Sequence, residues 1–156
     1  MKRSLIAPIA AVAMLVPALA DAAITPSPKN SQQVRLTQQL IQYAATGVAP
    51  LSGTSSYVGT SDGRIGSVSL HGTVRGTKTY RSDGNFDGRD TIFTPDGSIR
   101  LTFKATTVFE GRFAARGRFT GGTGRYRGAT GYFRFTSDEQ SPTSWLRTIS
   151  GWISLR

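Results

Sequence analysis

Few residues of this chain can do covalent or acid–base chemistry. There is no Cys, which excludes thiolate nucleophiles, disulfides and Cys-ligated zinc or iron–sulfur centres. There is one His, His71, which excludes His-rich metal sites and leaves any general base of that type to a single residue. His71 shares a strand parity with Ser67, Ser69, Thr73 and Arg75, so its alternative reading is an ordinary polar-face residue. Two carboxylates are further catalytic candidates. Asp90 precedes Thr91-Ile92-Phe93 and can point inward; pairing with Arg89, Arg100 or Arg118 would then pull its pKa down and suit it to an ion pair rather than a general acid. Glu110 stands before Gly111, where a surface carboxylate beside a turn is the competing reading. Asp138 and Glu139 are adjacent, and a strand sends them to opposite faces, so they do not make a carboxylate pair.

Cofactor motifs are absent. Asp83-Gly84-Asn85-Phe86-Asp87 lacks the full ligand series of a calcium loop. Gly121, Gly122 and Gly124 resemble a phosphate loop, but no Gly-Lys-Ser/Thr follows, and Gly128 and Gly131 forbid a sustained helix behind them. No metal and no cofactor is expected. The candidates for ligand contact are aromatic: Tyr57, Tyr80, Tyr132, Trp145 and Trp152. They equally suit simple packing.

The formal charge is +10, from 19 Lys+Arg against 9 Asp+Glu. Arg112, Arg116, Arg118, Arg125, Arg127 and Arg134 crowd one region, interleaved with Phe113, Phe119, Tyr126 and Tyr132. The planar guanidinium fork suits carboxylate and phosphate recognition. An anionic envelope surface is the expected partner of such a face, ahead of nucleic acid; a solvated cationic surface is the plain alternative.

The elements that must position these groups are strands. After Pro50 no stretch sustains a 3.6-residue period. Val68, Leu70 and Val74 alternate with polar residues, as do Leu101, Phe103 and Ala105, Phe113, Ala115 and Phe119, Phe133 and Phe135, and Ile149 and Ile153. Asp62-Gly63, Asp83-Gly84, Asp87-Gly88 and Pro95-Asp96-Gly97 read as turns. Gly-x-Phe recurs at Gly84, Gly111, Gly117 and Gly131, where Gly permits close approach beside an inward ring. Connections are too short for crossover helices, so the expected architecture is all-β and antiparallel, a closed barrel or a sandwich. Residues 34–45 fit either a helix or short strands.

Residues 1–20 have the make-up of a secretory signal peptide: Lys2 and Arg3, an apolar run broken by Pro8 and Pro17, and Ala18-Leu19-Ala20. The alternative is a membrane anchor, for which the run of about fifteen residues is short. Cleavage after Ala20 would give a secreted or periplasmic product. Residues 21–33, with Pro26 and Pro28, read as a flexible leader, and residues 34–156 as one domain.

The segment Gly121-Gly122-Thr123-Gly124-Arg125-Tyr126-Arg127-Gly128-Ala129-Thr130-Gly131 resembles the signature turn of the allene oxide cyclase and dirigent superfamily. The resemblance implies an eight-stranded antiparallel, calycin-like β-barrel, with Tyr126 as the packing aromatic of the turn and Ala129 as a tight contact. It also implies association of barrels into oligomers. Allene oxide cyclases isomerise a fatty-acid epoxide using a carboxylate near the first strand; here no Asp or Glu occurs from residue 22 to 61, which puts that activity in doubt. Dirigent proteins guide coupling of phenoxy radicals with acids and an Arg in the cavity, and no residue-by-residue match to them follows from the sequence. Three functions stay open: an exported, non-enzymatic barrel binding a small apolar or aromatic molecule; an isomerase, cyclase or dirigent-like guide; and a structural or surface-interaction protein acting through its Arg-rich face.

Overall fold

A computed structural model describes residues 30–46, 53–109 and 111–156. Alternation of apolar and polar residues produces eight strands: β1 Ser31–Thr46, β2 Gly53–Ile65, β3 Val68–Tyr80, β4 Phe86–Thr94, β5 Gly97–Phe109, β6 Arg112–Gly122, β7 Thr130–Ser141 and β8 Ser144–Ser154. Each pairs antiparallel with its sequence neighbour, and β1 pairs with β8 to close an up-and-down barrel. Closure leaves no sheet edge to satisfy, which suits a chain without disulfides. The segment that reads equally as helix or strand is β1: Val34, Leu36, Gln38 and Leu40 point inward at period two. Propensity there yields to pairing on both sides, with β2 and β8. Residues 31–33, expected in the leader, belong to this strand. The signal-peptide reading of residues 1–20 lies outside the described residues.

Two expected turns are strand interior. Asp62-Gly63 lies within β2, and the chain reverses at Gly66-Ser67 instead. Asp87-Gly88 lies within β4. At Gly88 the reason is packing. A Cβ there would come within 2.1 Å of the Phe103 ring, and one at Gly117 within 2.2 Å of the Phe133 ring. Gly88, Phe103, Gly117, Phe133 and Gly151 are successive cross-strand neighbours. Glycine therefore alternates with Phe around one level of the barrel, and the rings fill the space that side chains on the neighbouring strands would need. The Pro95-Asp96 hairpin does join β4 to β5, with Thr94 opposite Gly97.

The interior has two halves. Toward the β2–β3 and β4–β5 turns it is apolar, filled by residues such as Leu36, Leu70, Val74, Ile92, Ile99 and Ile149. Between β6 and β7, Gly124–Tyr126 forms one turn of 3-10 helix at this end. Its Arg125 N–H donates to the Asp96 carbonyl at 2.9 Å, and Tyr126 and Ala129 are buried. The opposite half carries the buried charged side chains, Lys78, Asp90 and Arg147.

Candidate functional site

Asp90 on β4 and Arg147 on β8 face each other across the lumen, with three strands between them in either direction around the wall. Both follow the inward parity of their strands, set by Ile92 for Asp90 and by Ile149 and Ile153 for Arg147. Arg147 Nη1 donates to Asp90 Oδ2 at 2.5 Å and to Gln38 Oε1 at 3.2 Å. Gln38 Nε2 in turn donates to Ser61 Oγ at 3.3 Å. The Tyr57 hydroxyl donates to Asp90 Oδ1 and accepts from Arg147 Nη2 at 3.4 Å. The guanidinium lies 4.3 Å from the Phe135 ring centroid and 5.1 Å from that of Phe103. Side-chain exposure is 5% for Arg147 and 0% for Asp90.

Gly76 makes this contact possible. It is the cross-strand neighbour of both Tyr57 and Asp90, standing between them on β3. A Cβ on Gly76 would sit 2.1 Å from Asp90 Oδ1 and 2.5 Å from the Tyr57 ring.

Burial pushes the Asp90 carboxyl up from its ordinary value, against the opposing pull of Arg147 and of the hydrogen bonds from Tyr57 and Arg147. This corrects the expectation of a lowered value. It also corrects the expected partner, because Arg89, Arg100 and Arg118 are all exposed. Burial disfavours the Arg147 charge, but Tyr57 and Asp90 outweigh it and hold the guanidinium protonated. The Tyr57 hydroxyl is pushed strongly up, first by burial and then by the Asp90 charge, and stays a donor.

A second cation lies in the same half of the barrel. Lys78, only 5% exposed, follows the parity of Leu70 and Val74 on β3. Its ammonium is 3.8 Å from the Trp145 ring centroid, with Tyr80 at 5.3 Å, Phe86 at 5.6 Å and Phe113 at 6.0 Å. Burial, reinforced by the Arg147 charge and partly opposed by the Glu139 carboxylate, lowers its pKa to about 8. Lys78 makes no direct ion pair among the described residues; ring faces surround its ammonium, and the Glu139 carboxylate acts on it from beyond contact. Trp145 Nε1 and Arg147 Nε are buried without hydrogen-bond partners among the described residues. The described interior thus holds two cations, Lys78 and Arg147, against one carboxylate, Asp90.

Of the aromatics singled out from sequence, Tyr57, Tyr80 and Trp145 belong to the interior, Tyr80 at its half-buried margin. Tyr132 and Trp152 are cross-strand neighbours on the outer wall, because Phe133 and Ile153 take the inward positions. They do not line the barrel. His71 is 77% exposed and meets Asp62 at 2.8 Å on the outside, away from the interior groups. Glu110 lies outside the described residues. Among the described residues no cluster of three or more His, Asp or Glu could hold a metal.

The six arginines separate. Arg112 pairs with Asp138 at 2.5 Å, Arg125 lies 3.9 Å from Asp96, and Arg127 follows the 3-10 turn. Arg116, Arg118 and Arg134 share an outer groove of about 1240 Å³ with Arg89 and Lys104. Lys78, Arg147, Gln38 and Gly76 escaped the sequence reading. Extending the period-two parity along β3 and β8 would have placed Lys78 and Arg147 inward; nothing in the sequence reveals that Arg147 meets Asp90.

No family model matches the chain, and no curated protein matches it. Among solved structures, it is similar to one described as the pterocarpan synthase dirigent protein GePTS1, with a TM-score of 0.57 and 14% identity, covering 81% of this chain and 87% of that one. At that identity the likeness establishes the fold: a dirigent-type, eight-stranded antiparallel barrel.

Proposed function

We propose that this protein is an exported barrel that binds a small aromatic molecule bearing an anionic group, at the Lys78 end of the lumen, without turning it over. The observation that carries the reading is the unbalanced cation. Burying a charge is costly unless it is paired, and Lys78 is buried among rings with no carboxylate in ion-pair reach among the described residues. An aromatic carboxylate or phenolate would supply the missing charge and stack on the same rings. The unpartnered Trp145 Nε1 and Arg147 Nε offer further donors. The half-buried Tyr80 and Phe113 rings beside Lys78 form the outer margin of this end.

Calorimetric titration of the full chain with naphthoate and with neutral naphthamide tests this. Naphthoate should bind at neutral pH at least about tenfold more tightly than naphthamide, and Lys78→Met should erase the difference while keeping the fold by circular dichroism. Equal binding of both probes, no binding of either, or full naphthoate affinity in Lys78→Met overturns it.

A dirigent-like guiding role is the second reading. It is favoured by the fold and by the carboxyl, guanidinium and phenol hydroxyl that meet at Asp90. It requires the protein to bias the stereochemistry of phenol coupling driven by an added one-electron oxidant, and Asp90→Asn to lose that bias. A racemic product with the wild-type chain sinks it.

A further inference from the structure

We propose that the concave outer wall of β3 to β8 is a binding groove for a linear anionic polysaccharide. This site lies outside the barrel and is independent of the Lys78 reading. The register builds it. Lys104, Arg116 and Arg134 are direct cross-strand neighbours on β5, β6 and β7, all pointing outward. The next level of the same face carries Arg89, Thr102, Arg118 and Tyr132 in the same cross-strand order. Five basic side chains therefore line one depression of about 1240 Å³, with Asp87 the acid among its lining residues. That carboxylate is already engaged by Arg81.

Like charges directly opposite on neighbouring strands destabilise a sheet. Lys104 and Arg116 face each other directly in this way, and an anionic ligand lying across them offsets their repulsion. The shape narrows the choice of ligand. A flat bilayer cannot follow a concave wall, and a second copy of this chain would bring its own cationic face. The groove also carries hydroxyls, on Thr77, Thr102, Thr136, Thr148 and Ser150, interleaved with the cations. Tyr132, 59% exposed, stands at the edge with the Arg118 guanidinium over its ring, 5.1 Å from the centroid. Cations for carboxylate or sulfate groups, interleaved with hydroxyls for sugar hydroxyls, are together the chemistry of an acidic glycan. Single-stranded nucleic acid favours a series of stacking rings along a basic track, and Tyr132 is the one aromatic ring exposed within the groove's described lining.

The test uses the full chain with polygalacturonate, neutral dextran, an oligothymidylate and phosphatidylglycerol vesicles. Polygalacturonate should bind and dextran should not, with affinity falling as salt rises. The double variant Lys104→Ala/Arg116→Ala should lose at least about tenfold in affinity, while Arg127→Ala, outside the groove, keeps it. The double variant should also melt at or above the wild-type temperature, because the facing like charges are gone; this separates lost binding from lost folding. Undiminished binding by the double variant, an equal loss in Arg127→Ala, or tighter binding of the oligonucleotide or the vesicles than of polygalacturonate overturns the proposal.

Discussion

Arg147 and Asp90, 57 residues apart in sequence, meet at 2.5 Å in the middle of the barrel and tie opposite walls together. The pair is a cross-lumen strut. It ends the apolar half of the interior and begins the half in which Lys78 sits.

Breaking the strut on one side should be costly. Asp90→Asn leaves the Arg147 charge buried and uncompensated, so a loss of about 3–5 kcal/mol is expected by chemical denaturation. Replacing both residues with apolar ones of similar volume, Asp90→Leu with Arg147→Met, should recover most of it. If the double variant is as unstable as the single one, the pair is more than a neutralised charge.

Gly76 should tolerate no side chain. In Gly76→Ala the new methyl collides with Asp90 Oδ1 and the Tyr57 ring, both buried and held in the Arg147 hydrogen-bond network. A loss of about 1–3 kcal/mol is expected from overpacking alone, visible as a lowered denaturant midpoint. Wild-type stability in this variant would show that Tyr57 and Asp90 do not meet over the glycine.

Lys78 should leave a signature in the pH dependence of stability. Its folded pKa of about 8 lies below its ordinary value of 10.5. Between those values the unfolded chain binds the proton that the folded chain has released, so stability rises with pH from about 8 to about 10.5, by a total on the order of 3 kcal/mol. Below pH 8 both states are protonated and this contribution is flat. Lys78→Met should remove that rise. A rise of the same size in the variant would assign it to another group.

His71 should be dispensable. It is exposed, and its one polar partner, Asp62, lies on the same outer surface. His71→Ala should change stability by no more than about 0.5 kcal/mol and leave naphthoate binding intact. A larger effect on either would restore it as a functional candidate.

The sequence by itself determined the fold class and most of the inward-facing set. Period-two alternation placed Phe103, Ala115, Phe133 and Ile149 inside without any tertiary information, because the pleat sends alternate side chains to opposite faces. The same rule, carried four residues beyond Val74 on β3 and two residues back from Ile149 on β8, places Lys78 and Arg147 inside. Dipeptides misled where packing outranked local turn preference: Asp87-Gly88 stays in a strand because the Phe103 ring needs the glycine. What alternation lacks is register and the identity of the strand across the lumen. Asp90 meeting Arg147, Gly76 sitting between Tyr57 and Asp90, and Lys104, Arg116 and Arg134 aligning in one row all depend on how strands slide and where the barrel closes. Those are long-range pairings, and only the tertiary structure decides them.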